Sequence, residues 1–221
     1  MAGRRSYGDP CGTARALDVI GERWALLVVR ELLFGPKRFT ELSRGLPGMS
    51  QNVLAARLRE LETDGVVRNY RLGPPASTRV YELTPRGYEL EELLIALGRW
   101  GSKVPLDAID AAAELSVDAL VLALRTTFDA RRAGALRARV ELCLDGDRFH
   151  AEIADGEFTI GRGGVRDADA ILDAGVATVR SVIFDGLPLT DAVRSRALLL
   201  TGDQRVAARF VNCFPRPQPV Y

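Results

Sequence analysis

The 221-residue chain has a single histidine and only three cysteines. With one histidine, no Ser-His-Asp set and no metal cluster can be assembled, and no pair of catalytic carboxylates stands out. A protein without metal or cofactor, and not an enzyme, is therefore expected. Cys11, Cys143 and Cys213 follow no regular spacing. That excludes a disulfide scaffold and a CxxC metal site, and it fits a reducing compartment. No apolar run approaches 18 residues and no leader pattern opens the chain, so a cytoplasmic location without a membrane partner is expected. Gly161-Arg162-Gly163-Gly164 is glycine-rich but lacks the strand-to-helix context of a phosphate loop. An excess of either charge is missing too: 30 Lys+Arg face 29 Asp+Glu, which taken alone gives no reason to expect a nucleic-acid partner.

What is present is apolar material, 47% of the chain, enough for the cores of one large or two ordinary domains. The balanced charge conceals an asymmetry. Residues 1–105 carry 16 basic and 12 acidic side chains, a net of +4, and the remainder carries 14 and 17, a net of −3. The expected organisation is α+β, with domains at 1–105 and 115–221 joined by a small, proline-containing linker at 106–114.

The front half reads as helices followed by a hairpin. Residues 13–20 begin a short helix. Residues 22–34 form a second, apolar nearly all round and hence expected to be buried, which Gly35-Pro36 stops. Residues 39–45 make a third, with Thr40 as a candidate cap. The stretch LPGMSQNVLAARLRELETDG (46–65) then places Leu54, Leu58 and Leu61 at i, i+4 and i+7, one stripe of a helix capped by Ser50 and closed by Gly65. The opposite face carries Asn52, Ala55, Ala56 and Arg59: a planar amide, two methyls and a guanidinium. Residues 66–72 and 78–84 are strand-like and separated by GPPAS, a hairpin flanked by Arg68, Arg71 and Arg79. Thr84-Pro85 starts a further helix whose Leu90, Leu93, Leu94, Leu97 and Trp100 exceed what one small core needs, as a dimer seam would.

The stretch from Cys11 to Gly87 resembles the HxlR family of winged-helix transcription regulators. The resemblance covers about the first 100 residues and includes Gly21-x-x-Trp24, Phe34-Gly35-Pro36-Lys37-Arg38-Phe39 and Tyr81-x-Leu83-Thr84. It implies a homodimer on a double-stranded DNA operator, with the 51–63 helix in the major groove. There Gln51 and Asn52 suit adenine, Arg59 guanine, and Ala55 and Ala56 thymine methyls. Ser50 and the amides at the helix N-terminus would hold a phosphate, and Lys37, Arg38, Arg71 and Arg79 would grip the backbone on either side. The same face could instead be merely solvated, or could dock a protein.

In the back half, Ser116 caps a helix bearing Val117, Leu120, Val121, Leu124 and Phe128. The period then changes to two. Three short strands (140–164) meet at Asp145-Gly146 and Asp155-Gly156 turns, followed by a strand (169–175), helices, a strand (197–202) and a last helix. Over residues 115–214 this order resembles the sterol carrier protein fold. That resemblance implies an apolar or amphipathic effector held between sheet and helices, lined by Phe149, Phe158, Ile160, Val179, Ile183 and Phe184. These residues would equally serve to fill a core. His150 falls on the other strand face beside Arg148 and Glu152. Cys143 and Cys213 read as small core residues. Cys11 lies just ahead of the first helix, where the N-terminus and Arg15 favour thiolate, and it matches a position at which HxlR-like regulators carry a sensing cysteine. A dimeric DNA-binding regulator, of the repressor kind, is the leading expectation. A ligand carrier that uses its winged helix only to dimerise or dock is the alternative.

Overall fold

A computed structural model describes residues 6–73, 78–104 and 114–218. The expected wing tip at 74–77 and nearly all of the expected linker fall outside them. The chain divides into two compact units, Met1–Leu94 and Ile95–Tyr221. No helix among the described residues is long and apolar enough to cross a membrane.

The first unit is a set of helices with a two-stranded hairpin. Helix α1 (Gly12–Ile20) buries only Ile20. Helix α2 (Ala25–Leu32) starts three residues later than its hydrophobic pattern suggests. Trp24 is the reason: its φ of 78° is left-handed, which a helix does not tolerate, so Glu22 to Trp24 form a turn. Helix α2 is also less enclosed than its composition implies, since Leu27 is exposed and Arg30 half-buried. Helix α3 (Phe39–Gly45) and helix α4 (Gln51–Thr63) complete the helix-turn-helix. Gly65, at φ 69°, closes α4 in a conformation that suits glycine. Strands β1 (Val67–Arg71) and β2 (Arg79–Leu83) pair antiparallel. The helix expected from Pro85 is two, α5 (Pro85–Tyr88) and α6 (Leu90–Gly101), and the division between the units falls within α6, after Leu94. Thr84 caps α5 by accepting a hydrogen bond from Gly87 N–H at 3.1 Å.

Glu31 is fully buried in this unit. Its carboxylate takes Arg30 Nη2 and Lys37 Nζ, each at 2.9 Å. A Cβ on Gly45 would lie 2.2 Å from Glu31 Oε2, so only glycine fits where α3 ends against this ion-pair cluster.

The second unit opens with helix α7 (Val117–Thr127), capped by Ser116 Oγ accepting from Ala119 N–H at 3.0 Å, and a short α8 (Ala130–Ala133). Strands β3 (Ala138–Leu144), β4 (Asp147–Ala154), β5 (Glu157–Arg162), β6 (Ala170–Ala174) and β7 (Leu199–Gly202) form one sheet in the order β5-β4-β3-β6-β7. Only the β3–β6 pairing is parallel, as expected when a connection crosses over from a meander. Strand β7 starts later than its LLL run suggests, because Leu198 turns into the core. Helices α9 (Val176–Ile183), α10 (Leu189–Arg194) and α11 (Gln204–Asn212) finish the unit. The Asp145 carboxylate, from the β3–β4 turn, accepts from Val176 N–H at 3.2 Å and so caps α9, whose own N-cap is a glycine.

Alternation sorts the sheet's two faces. Val140, Leu142, Phe149, Ala151, Ile153, Ala170 and Leu172 are buried toward the helices, and Arg139, Arg148, His150 and Glu152 are exposed on the other side. Glu141 and Cys143 break the pattern by being buried on the outer face. Glu141 is held there by Arg148 Nε at 3.0 Å and by Val165 N–H at 3.0 Å.

Candidate nucleic-acid interface

Helix α4 buries the expected stripe of Leu54, Leu58 and Leu61. Burial of each leucine contributes roughly 1.5 to 3 kcal/mol and fixes the helix's rotation. Ser50 Oγ accepts from Val53 N–H at 3.3 Å, so Ser50 caps the helix while the first turn opens to solvent. With the stripe buried, Gln51, Asn52 and Arg59 are exposed and Ala55 and Ala56 half-exposed. The outward face of Asn52, Ala55, Ala56 and Arg59 is bordered by one exposed acid, Glu60, whose carboxylate is taken by Arg57. Two neighbours of this face were not anticipated. Val53 is an exposed apolar residue one step from Asn52, and Thr63 continues the row, its hydroxyl donating to Arg59 O at 2.9 Å. An uncovered β-branched residue in the first turn was the available signal for the former.

Arg57 also lies on α4 but turns inward. It pairs with Glu60 and, at 3.6 Å, with Glu22 in the α1–α2 turn. It ties the helix to that turn and is no candidate for reading a base.

The wing places arginine against arginine. In the β1–β2 register Arg71 lies directly opposite Arg79, both exposed, and neither is paired with a carboxylate among the described residues. Like charges opposite each other destabilise a hairpin, whereas a phosphate between them would turn that repulsion into attraction. Arg68 is different. It donates to Glu82 Oε2 from Nε at 3.0 Å and from Nη2 at 2.7 Å, and this raises its already high pKa.

Arg38 is exposed at the start of α3, its N–H donating to Glu41 Oε2 at 2.6 Å. Lys37 is placed otherwise than a backbone-gripping residue would be. Its side chain is only 13% exposed, with the ammonium on Glu31. Its backbone N–H and C=O pair with Tyr81, which docks the wing to the helices. Sequence alone could not show this, because the buried partner lies six residues earlier, on α2.

Cys11 is exposed at the N-cap of α1. Hydrogen bonding from the Thr13 and Ala14 N–H groups holds its thiol below the ordinary pKa, although the sulfur does not seat as a close cap. Cys143 and Cys213 are buried, and burial pushes both thiols up.

In the second unit, Phe149, Ile160, Val179 and Ile183 are buried and Phe158 and Phe184 half-buried. The rings gather around residues the sequence did not mark as lining. Phe158 stacks on Phe128 with centroids 5.3 Å apart and meets Phe214 edge-on at 5.1 Å, and Phe210 lies 5.0 Å from Phe214. Phe149 lies under the Arg162 guanidinium at 4.6 Å. Arg162 in turn pairs with buried Asp118 at 2.9 Å and with Asp147 at 2.8 Å. Phe210 on the last helix and Phe214 just beyond its end, four residues apart, are the sequence signal for this cluster. Nothing in the sequence linked Asp118 to Arg162, 44 residues on.

A helix-turn-helix with a capped, solvent-facing fourth helix and an arginine-bearing hairpin beside it is the winged form of a DNA-binding module. The family described as HxlR-like helix-turn-helix matches residues 19–107. The HTH-type transcriptional regulator sll1512 of Synechocystis is 41% identical over 96 residues, 43% of this chain and 70% of that protein. YvaP of Bacillus subtilis, also an HTH-type transcriptional regulator, is 38% identical over 90 residues, 40% of this chain and 82% of that protein. Among solved structures, the reduced form of the B. subtilis transcriptional regulator YodB is 32% identical, with a TM-score of 0.39 over 43% of this chain and 94% of that one. The chain belongs to the HxlR family of helix-turn-helix transcriptional regulators.

Proposed function

We propose that the protein is a homodimeric repressor that reads a two-fold operator with α4, and that its second unit binds an apolar or amphipathic effector. The observation that carries the DNA part is the combination of the exposed amide, methyl and guanidinium row on α4 with the opposed Arg71 and Arg79 of the wing. Gln51, Asn52 and Arg59 are the base-reading residues, Ala55 and Ala56 the methyl contacts, and Ser50, Arg38, Arg71 and Arg79 the phosphate contacts. Lys37 supports the wing from within. The dimer reading rests on α1, which buries one residue, and on α6, which leaves Leu93, Leu97 and Trp100 uncovered, Trp100 at 71%. Duplexes selected from a random pool by the purified protein should carry inverted half-sites about one helical turn or more apart, each protected from hydroxyl radicals. Selection of an asymmetric site, or of none, would remove the operator reading.

The effector reading is supported by the sterol-carrier-like order of elements, by the five-stranded sheet with helices against one face, and by the half-buried Phe128–Phe158 stack at the edge of an aromatic cluster. The full chain should take up a fluorescent apolar probe, and uptake should change operator affinity, since ligand and DNA are reciprocally linked. Filling changes at Phe158 and Phe184 should abolish uptake without unfolding the protein. Uptake unaffected by both changes would make this cluster a packed core. Cys11 is the redox- or electrophile-sensing residue in this reading, being exposed and thiolate-prone.

A further inference from the structure

Helix α11 repeats, in the second unit, the kind of face that α4 shows in the first. Its buried residues are Ala207 and Phe210. Its exposed residues are Gln204, Arg205, Ala208, Arg209 and Asn212: amides, a methyl and guanidinia, with no acid. Arg205 and Arg209 stand one turn apart, where like charges repel, and Arg205 lies in the first turn, where the helix dipole disfavours a cation. Helix α8 adds Arg131, 93% exposed, and Arg132. The two helices are joined by Asp129 N–H donating to Cys213 O at 2.9 Å, and Arg132 and Arg209 both act on the Cys213 thiol. Acids lie at this corner too: Asp129 and Asp203 are helix caps, and exposed Asp169 is joined to Asp203 by the Asp203 N–H donating to Asp169 O at 2.8 Å. Asp129 accepts from Arg131 N–H at 2.9 Å and pairs with the Arg131 side chain at 3.4 Å. Asp203 accepts from Arg205 N–H at 2.7 Å and from Val206 N–H at 3.2 Å. Arg205 and Arg209 have no carboxylate partner among the described residues, while Arg132 lies near enough to Asp129 to help lower its carboxyl pKa.

We propose that this arginine corner is a second, sequence-independent contact to duplex DNA, gripping phosphates outside the half-sites that α4 reads. The charge is local, since residues 106–221 net −3, so it does not follow from composition. Arg205 and Arg209, one turn apart without a carboxylate between them and with Arg205 at the helix end that disfavours a cation, fit a polyanion. In a DNA-binding chain, duplex held by the winged helix is the polyanion present at high effective concentration. The inference rests on the operator reading above, and its test separates the two.

The full chain is titrated, over a range of salt, against a selected operator trimmed to its protected bases and against the same operator carrying about 15 flanking base pairs on each side. The wild type should bind the longer duplex more tightly and with a steeper salt slope, by about 0.9 per added phosphate contact. Replacing Arg131, Arg132, Arg205 and Arg209 together by Gln should erase both gains and leave trimmed-operator affinity unchanged, whereas the all-Lys replacement should retain them. If the Gln variant keeps the full length dependence, or if the wild type shows none, the corner faces something else, such as an acidic protein surface, and the proposal fails. The wing variant Arg71→Ala, which should weaken both duplexes alike, reports on the operator reading independently.

Discussion

Glu31 and Cys11 show how the same residue classes take opposite roles according to burial. Glu31 is a fully buried carboxylate between two cations, so removing its charge leaves Arg30 and Lys37 facing a desolvated neutral group. Breaking a buried pair costs about 3 to 5 kcal/mol. Glu31→Gln should therefore lower the denaturation midpoint of the first unit strongly, as urea titration would show, and should loosen the wing that Lys37 docks. Cys11 is exposed, and the N–H groups at the start of α1 lower its thiol pKa. A lowered pKa means more thiolate at a given pH, so iodoacetamide should alkylate Cys11 with a pH midpoint below that of a free thiol. Cys143 and Cys213, raised by burial, should react only on unfolding. Diamide should release DNA from the wild type and not from Cys11→Ser. Equal release from both proteins would remove Cys11 from the mechanism.

At the scale of elements, α4 is the piece most legible in the sequence. The Leu54, Leu58, Leu61 period set its rotation and Ser50 set its start, and both are as the spacing requires. Ser50→Ala should cost about 1 kcal/mol, measured by chemical denaturation, through loss of the bond from Val53 N–H. What was not legible is whatever depends on a residue's conformation or on a distant partner. The pattern of 22–34 does not reveal that Trp24 is left-handed, so α2 begins three residues later, and it also ends two residues earlier, than that pattern predicts. Lys37 has the sequence signature of a surface cation because its buried partner, Glu31, lies on α2. The strands of the second unit were legible from Asp-Gly turns and alternation, and the parallel β3–β6 pairing was not, because periodicity does not encode strand order. Phe149 and Phe158 were legible as inward-facing, while the Asp118–Arg162 pair that sits on Phe149 was not.

At the scale of the whole molecule, the uncovered Leu93, Leu97 and Trp100 on α6 predict self-association. Leu97→Glu should convert a dimer to a monomer in sedimentation velocity and should weaken a two-half-site duplex far more than a single half-site. A monomeric wild type would exclude the two-fold reading. The proposal that α4 reads bases while the wing grips the backbone is tested by measuring Asn52→Ala and Arg71→Ala against a selected operator and a scrambled duplex across a salt range. Asn52→Ala should lose about 1 to 3 kcal/mol on the operator, little on the scrambled duplex, and keep the wild-type salt slope; Arg71→Ala should weaken both duplexes alike and flatten the slope by about one. If both variants bind both duplexes as the wild type does, neither α4 nor the wing touches DNA in the way described.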